Sequence, residues 1–92
     1  MRGISRLTAA IIQTRGDDVR CLAGGPNDHG KWTGWISLYR DNIYDHDLLN
    51  TQPVFDSETA AVSAMEDVVS KIRALPQVDI FASIRFFGGT LR

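Results

Sequence analysis

Two groupings of histidine with carboxylate could do chemistry in this chain: Asp28-His29 and Asp45-His46-Asp47. Imidazole next to carboxylate serves general acid–base catalysis and metal ligation, because the acid orients the ring and sets its tautomer. A catalytic zinc, however, needs three protein ligands converging on one point. The two histidines lie 17 positions apart, with no HExxH, no CxxC and no second His at helical spacing. In an extended segment Asp45 and Asp47 share a face and His46 points away. The loop acids do not have the spacing of a calcium-binding loop. A small enzyme or metal protein built on His29 and His46 is therefore an alternative reading, not the leading one.

The remaining nucleophiles are no stronger. No Ser or Thr sits in a Gly-x-Ser-x-Gly turn. Gly24-Gly25-Pro26-Asn27-Asp28 is glycine-rich, but it lacks phosphate-loop spacing and carries an acid that repels phosphate. Cys21 is the one cysteine, so an internal disulfide is impossible and a disulfide-stapled miniprotein is excluded. Its position in a short apolar run reads as a small packing residue. Arg20, the adjacent cation that could activate it, points to the opposite face of a strand. The expectation is a chain that is not an enzyme and uses no cofactor and no metal.

Charge is more informative. The formal net charge is −1, yet it is segregated along the chain. Residues 1–40 hold six bases and three acids, and residues 68–92 hold four bases and one acid. Between them, seven acids run from Asp41 to Asp67 with no Lys or Arg: Asp41, Asp45, Asp47, Asp56, Glu58, Glu66 and Asp67. Such a block is either a solvated face or a patch that selects a basic partner.

The elements that must position these groups follow from composition and periodicity. Ninety-two residues, 43% hydrophobic and 23% charged, suit one α+β domain over 1–92. No run approaches the ~18 apolar residues of a membrane span. Residues 1–16 carry Arg2, Arg6 and Arg15 with Ser5 and Thr8 and no acid, a weak likeness to a transit peptide. The apolar run Leu7–Ile12 is too short for a signal-peptide core, so the segment is expected to be folded and the protein cytoplasmic.

Leu7–Thr14 is rich in β-branched residues and predicts a first strand. Gly16-Asp17-Asp18 then turns into Val19–Ala23, completing a hairpin. The Gly-rich stretch 24–31 is a long hairpin loop leading to a strand over Trp32–Tyr39. Residues 40–54, with a turn at Arg40-Asp41-Asn42, give an edge strand or one helical turn, ended by Pro53. Asp56 or Ser57 caps a helix whose stripe is Ala61, Met65, Val68, Ile72 and Leu75, stopped by Pro76. Val78–Phe87 alternates as a last strand. The sum is an antiparallel sheet of four or five strands, order βββ(β)αβ, with one long amphipathic helix on one face.

One helix covers one sheet face. The parity Thr33, Trp35, Ser37, Tyr39 mixes alcohols with aromatics and is the outward one, as are Phe81, Arg85 and Phe87 on the last strand. Trp, Tyr and Arg dominate interface hot spots. The expected partner-binding residues are therefore Trp35, Tyr39, Phe81, Arg85 and Phe87, with Asp41, Asp45 and Asp47 from the acidic block. This points to a protein-interaction module, an inhibitor or adaptor for a basic protein, with a homodimer as another way to hide the face. In general build it is similar to small phage or mobile-element anti-defence proteins such as anti-CRISPR proteins, with no specific motif in common. Single-strand nucleic-acid binding on the sheet is the other alternative. A pI near 6.0 and the lack of an aromatic RNA-binding motif stand against it.

Overall fold

Ser5 decides the first element. In the computed structural model, which describes residues 4–76, its Oγ accepts the Thr8 backbone N–H at 3.0 Å. That cap starts a helix, α1, over Arg6–Thr14. The expected strand at Leu7–Thr14 is thus a helix. β-branched residues cost a helix at most ~0.7 kcal/mol each. A Ser cap returns ~1 kcal/mol, and burying Ile12 completely returns ~1.5–3 kcal/mol. The anticipated hairpin at Arg15–Asp18 goes with it. Gly16–Asp18 is a single 3₁₀ turn joining α1 to the sheet, with Arg15 and Asp18 paired at 3.2 Å.

Three strands follow: β1 over Val19–Gly24, β2 over Thr33–Arg40 and β3 over Ile43–Asn50. They form one antiparallel sheet in the order β1-β2-β3. The α+β class and the antiparallel sheet agree with the sequence, while the expected last strand, Val78–Phe87, lies outside the described residues. The long loop after β1 is held by Asn27, whose Oδ1 accepts the backbone N–H of His29 and of Lys31, each at 2.9 Å.

Residues 40–54 hold a full eight-residue strand. Asp41 and Asn42 both adopt positive φ, 52° and 66°, which makes the two-residue turn whose twist suits a hairpin. β3 carries two bulges. Leu48 is the extra residue between the Ile36–Leu49 and Ser37–Asp47 pairs, and Asp45 between the Leu38–His46 and Tyr39–Tyr44 pairs. A bulge breaks the two-residue alternation. Leu48 and Leu49, adjacent in sequence, can therefore both pack against the core.

The second helix, α2, spans Glu58–Ala74 and is capped by Ser57, whose Oγ accepts the Ala60 N–H at 3.0 Å. Asp56 instead pairs with Lys31, tying the Gly-rich loop to the helix start. Ala61, Met65 and Ile72 are buried, as the stripe requires. Leu75 is not part of it; it is the C-cap residue and 55% exposed. The far end of α2 is held from α1, where the Gln13 side-chain amide donates to the carbonyls of Ile72, at 2.9 Å, and Pro76, at 3.1 Å. Both helices contribute to one core with the sheet, centred on Ile12, Ile36, Met65 and Ile72.

Candidate interaction surface

The face of the sheet away from α2 follows from β2. Gly34 backs onto Met65 and Ala61 of α2, so Trp35, Ser37 and Tyr39 point the other way. Strand register then assigns their neighbours. Leu22 lies opposite Trp35, Arg20 opposite Ser37, Asp47 on the other side of Ser37, and Tyr44 opposite Tyr39.

These side chains interact with one another. Ser37 is completely buried, and its hydroxyl donates to Asp47 Oδ1 at 2.6 Å. The Tyr44 hydroxyl donates to the same oxygen at 3.1 Å. Partial desolvation, then the hydrogen bond to Asp47 and that carboxylate's charge, push the Tyr44 phenol above its ordinary value. Tyr44 meets Tyr39 edge to face, with centroids 5.9 Å apart. The Arg20 guanidinium sits 4.2 Å above the Tyr39 ring and donates to Asn42 Oδ1 at 2.9 Å. Trp35 lies over Gly24 near the other end of the sheet.

Of the expected site residues, Tyr39 and Asp47 are thus brought into one cluster, and Trp35 shares their face four residues before Tyr39 on β2. Asp41 sits in the hairpin turn. Phe81, Arg85 and Phe87 lie outside the described residues. Ser37, on the expected outward parity, belongs to the cluster too, and so do Arg20, Asn42 and Tyr44, which the sequence does not single out. The parity of β1 could have placed Arg20 opposite Ser37. Tyr44 could not be placed without the bulge.

Asp45 and Asp47 do not act together, contrary to the extended-strand expectation. The bulge gives Asp45 other partners: Arg40 Nε donates to its Oδ2 at 3.0 Å and His46 Nδ1 lies 3.1 Å away. Hydrogen bonds from Arg40, then His46, hold the Asp45 carboxyl below the usual carboxylate range. Lys31 does the same for Asp56. Of the seven acids in the central block, Asp45, Asp56 and Asp67 are ion-paired with Arg40, Lys31 and Lys71. The block is less negative in three dimensions than along the chain.

A consequence can be measured. A carboxylate with a depressed folded pKa adds stability above its unfolded pKa of ~4, and that gain is lost as pH falls through the folded value. Both pairs are at the surface, so the effect is small. The Asp45→Asn/Asp56→Asn chain should be slightly less stable than the parent near pH 7, and the gap should close below roughly pH 4. Chemical denaturation across pH reads it; a gap that does not change with pH would refute the pairings.

The histidines do not converge. His29 is in the loop beyond Thr33 and His46 is on the Leu38 rung. Five residues of β2 separate those levels, roughly 17 Å at ~3.4 Å per residue. Among the described residues no three His, Cys, Asp or Glu side chains are placed to hold a metal ion. Cys21 borders a groove with Glu66, and burial followed by that carboxylate pushes its thiol up. A protonated thiol is a poor nucleophile.

No protein-family model, no curated protein and no solved structure matches this chain. No helix among the described residues is long and apolar enough to cross a membrane.

Proposed function

We propose that this chain is a non-enzymatic protein-interaction module, an inhibitor or adaptor of the cytoplasm, that docks on a basic partner through the β2–β3 hairpin and the sheet face beside it. The supporting observation is the hairpin tip. Ile43 is 71% and Tyr44 54% exposed, adjacent in sequence to the Asp41-Asn42 turn and to Asp45. An exposed aliphatic–aromatic pair with a charged rim is the composition of an interface centre, where burial drives affinity and charge selects the partner. Arg20 and Tyr39 extend that surface along the sheet.

Single-strand nucleic acid is the weaker reading. A base stacks on an open aromatic face, and Arg20 covers a face of Tyr39. Asp45 and Asp47 would meet the phosphates.

The test compares the parent chain with Ile43→Ser/Tyr44→Ala, both immobilised and exposed to extract of the native host. The parent should retain a protein that elutes as salt is raised, and the double variant should retain at least ten-fold less. Circular dichroism checks that the variant remains folded. Equal retention by both chains, or retention of nuclease-sensitive nucleic acid, would overturn the proposal. Size-exclusion chromatography of the free protein shows whether the partner is a second copy.

A further inference from the structure

The two edges of the described sheet are unlike. β3 carries both bulges and the run Asp45-His46-Asp47, features that blunt an edge against pairing. β1 has neither acid nor proline, and its register with β2 is unbroken from Val19–Leu38 to Gly24–Thr33. In an antiparallel pair, alternate residues turn their N–H and C=O outward, and in the described sheet β1 has β2 on one side and no strand on the other. Between β1 and α2 runs a groove of about 420 Å³, with Val19, Cys21 and Val69 along it and Glu66, Ser70 and Arg73 at its rim.

We propose that this edge and groove are a strand-accepting site, and that the occupant is the chain's own segment Val78–Phe86. Three observations carry this. The first is position. α2 starts beside the Trp32–Phe55 bridge, next to the end of β1, and finishes against the 3₁₀ turn before β1, where Arg73 packs on Gly16 and Gln13 holds the Pro76 carbonyl. α2 therefore runs opposite to β1 and ends at the groove's mouth, beside the start of β1, so a segment returning along the groove would run parallel to β1 with α2 as the crossover that such a pairing requires.

The second is periodicity. Val78, Ile80, Ala82, Ile84 and Phe86 alternate with Asp79, Phe81, Ser83 and Arg85, so one parity is apolar enough to fill the groove. The third is length. Sixteen residues follow Pro76, and the six residues of β1 span only ~20 Å at ~3.3 Å each. The pairing sets Phe81 and Arg85 on the same face as Arg20 and Leu22, enlarging the surface proposed above without depending on it.

Cys21, inside the groove, reports occupancy. In the full chain, Cys21 should react with iodoacetamide at least ten-fold more slowly than in Ile80→Asp, and alternate β1 amides should be protected from hydrogen exchange only in the unaltered chain. Phe81→Asp, of the other parity, should leave both readouts unchanged. Where aspartate at 80 disturbs α2, Ile80→Thr gives the same comparison at smaller amplitude. Equal Cys21 reactivity in all chains overturns the proposal, as does protection that grows with protein concentration, which would assign the groove to a second copy. All readouts are on the free protein, so failure to capture a partner does not bear on them.

Discussion

Truncating Ile12 to alanine is expected to destabilise the fold by about 2–5 kcal/mol, the range for emptying a buried large aliphatic site. Ile12 has no exposed surface and belongs to the cluster that holds Ile36, Met65 and Ile72 together. Besides Ile12, α1 is attached through the small Ala9 and Ala10 and the Gln13 amide bonds to the end of α2, whereas Leu7 on the same helix is 49% exposed. Leu7→Ala should therefore change stability by less than about 0.5 kcal/mol. Urea denaturation of the two variants measures the contrast. It also tests the helix itself, because the packing of α1 is what makes two apolar residues of one short segment so unequal. Similar costs for both would mean that α1 does not dock as described.

The second large effect is expected at Gly34. A Cβ there would lie 2.9 Å from Met65 Cγ and 3.2 Å from the Ala61 backbone carbonyl. The methionine end can move, but the carbonyl belongs to the helix and yields only if α2 lifts from the sheet. Gly34→Ala should cost about 1–3 kcal/mol, as overpacking does. Met65→Ala removes one of the two obstacles, so the double variant should be more stable than the sum of the single costs predicts, with a coupling of about 0.5 kcal/mol or more. Full additivity would refute the proposed contact. The result bears on function as well, since the approach of α2 to Gly34 is what turns Trp35 and Tyr39 to the opposite face.

Much of the architecture is legible in the residues. α2 follows from its capping serine, its apolar spacing and Pro76, and each of these is a local signal. The hairpin loop after β1 and the outward parity of Trp35 and Tyr39 follow from turn residues and alternation. Leu7–Thr14 misleads because its β-branched residues favour strand by small increments, whereas the decisive gain, burial of Ile12 against Ile36 and Met65, comes from residues far away in sequence. Leu48-Leu49 and Asp45-His46-Asp47 mislead for another reason. Each contains a bulge residue, and a period-two reading has no means of finding one.

The candidate surface divides in the same way. Asp41, Asp45 and Asp47 form one acidic group along the chain, but in space Asp41 stays in the turn, Asp45 pairs with Arg40 and His46, and Asp47 accepts from Ser37 and Tyr44. Arg20 reaches Tyr39 only because β1 and β2 are in register. The sequence by itself determined the class of fold, the long helix, the parity of the central strand and the segregation of charge, because each depends on neighbours within a few residues. Tertiary structure decided whether the first segment is helix or strand, which acids remain unpaired and which aromatics meet, because these depend on burial and register between segments that local preference does not constrain.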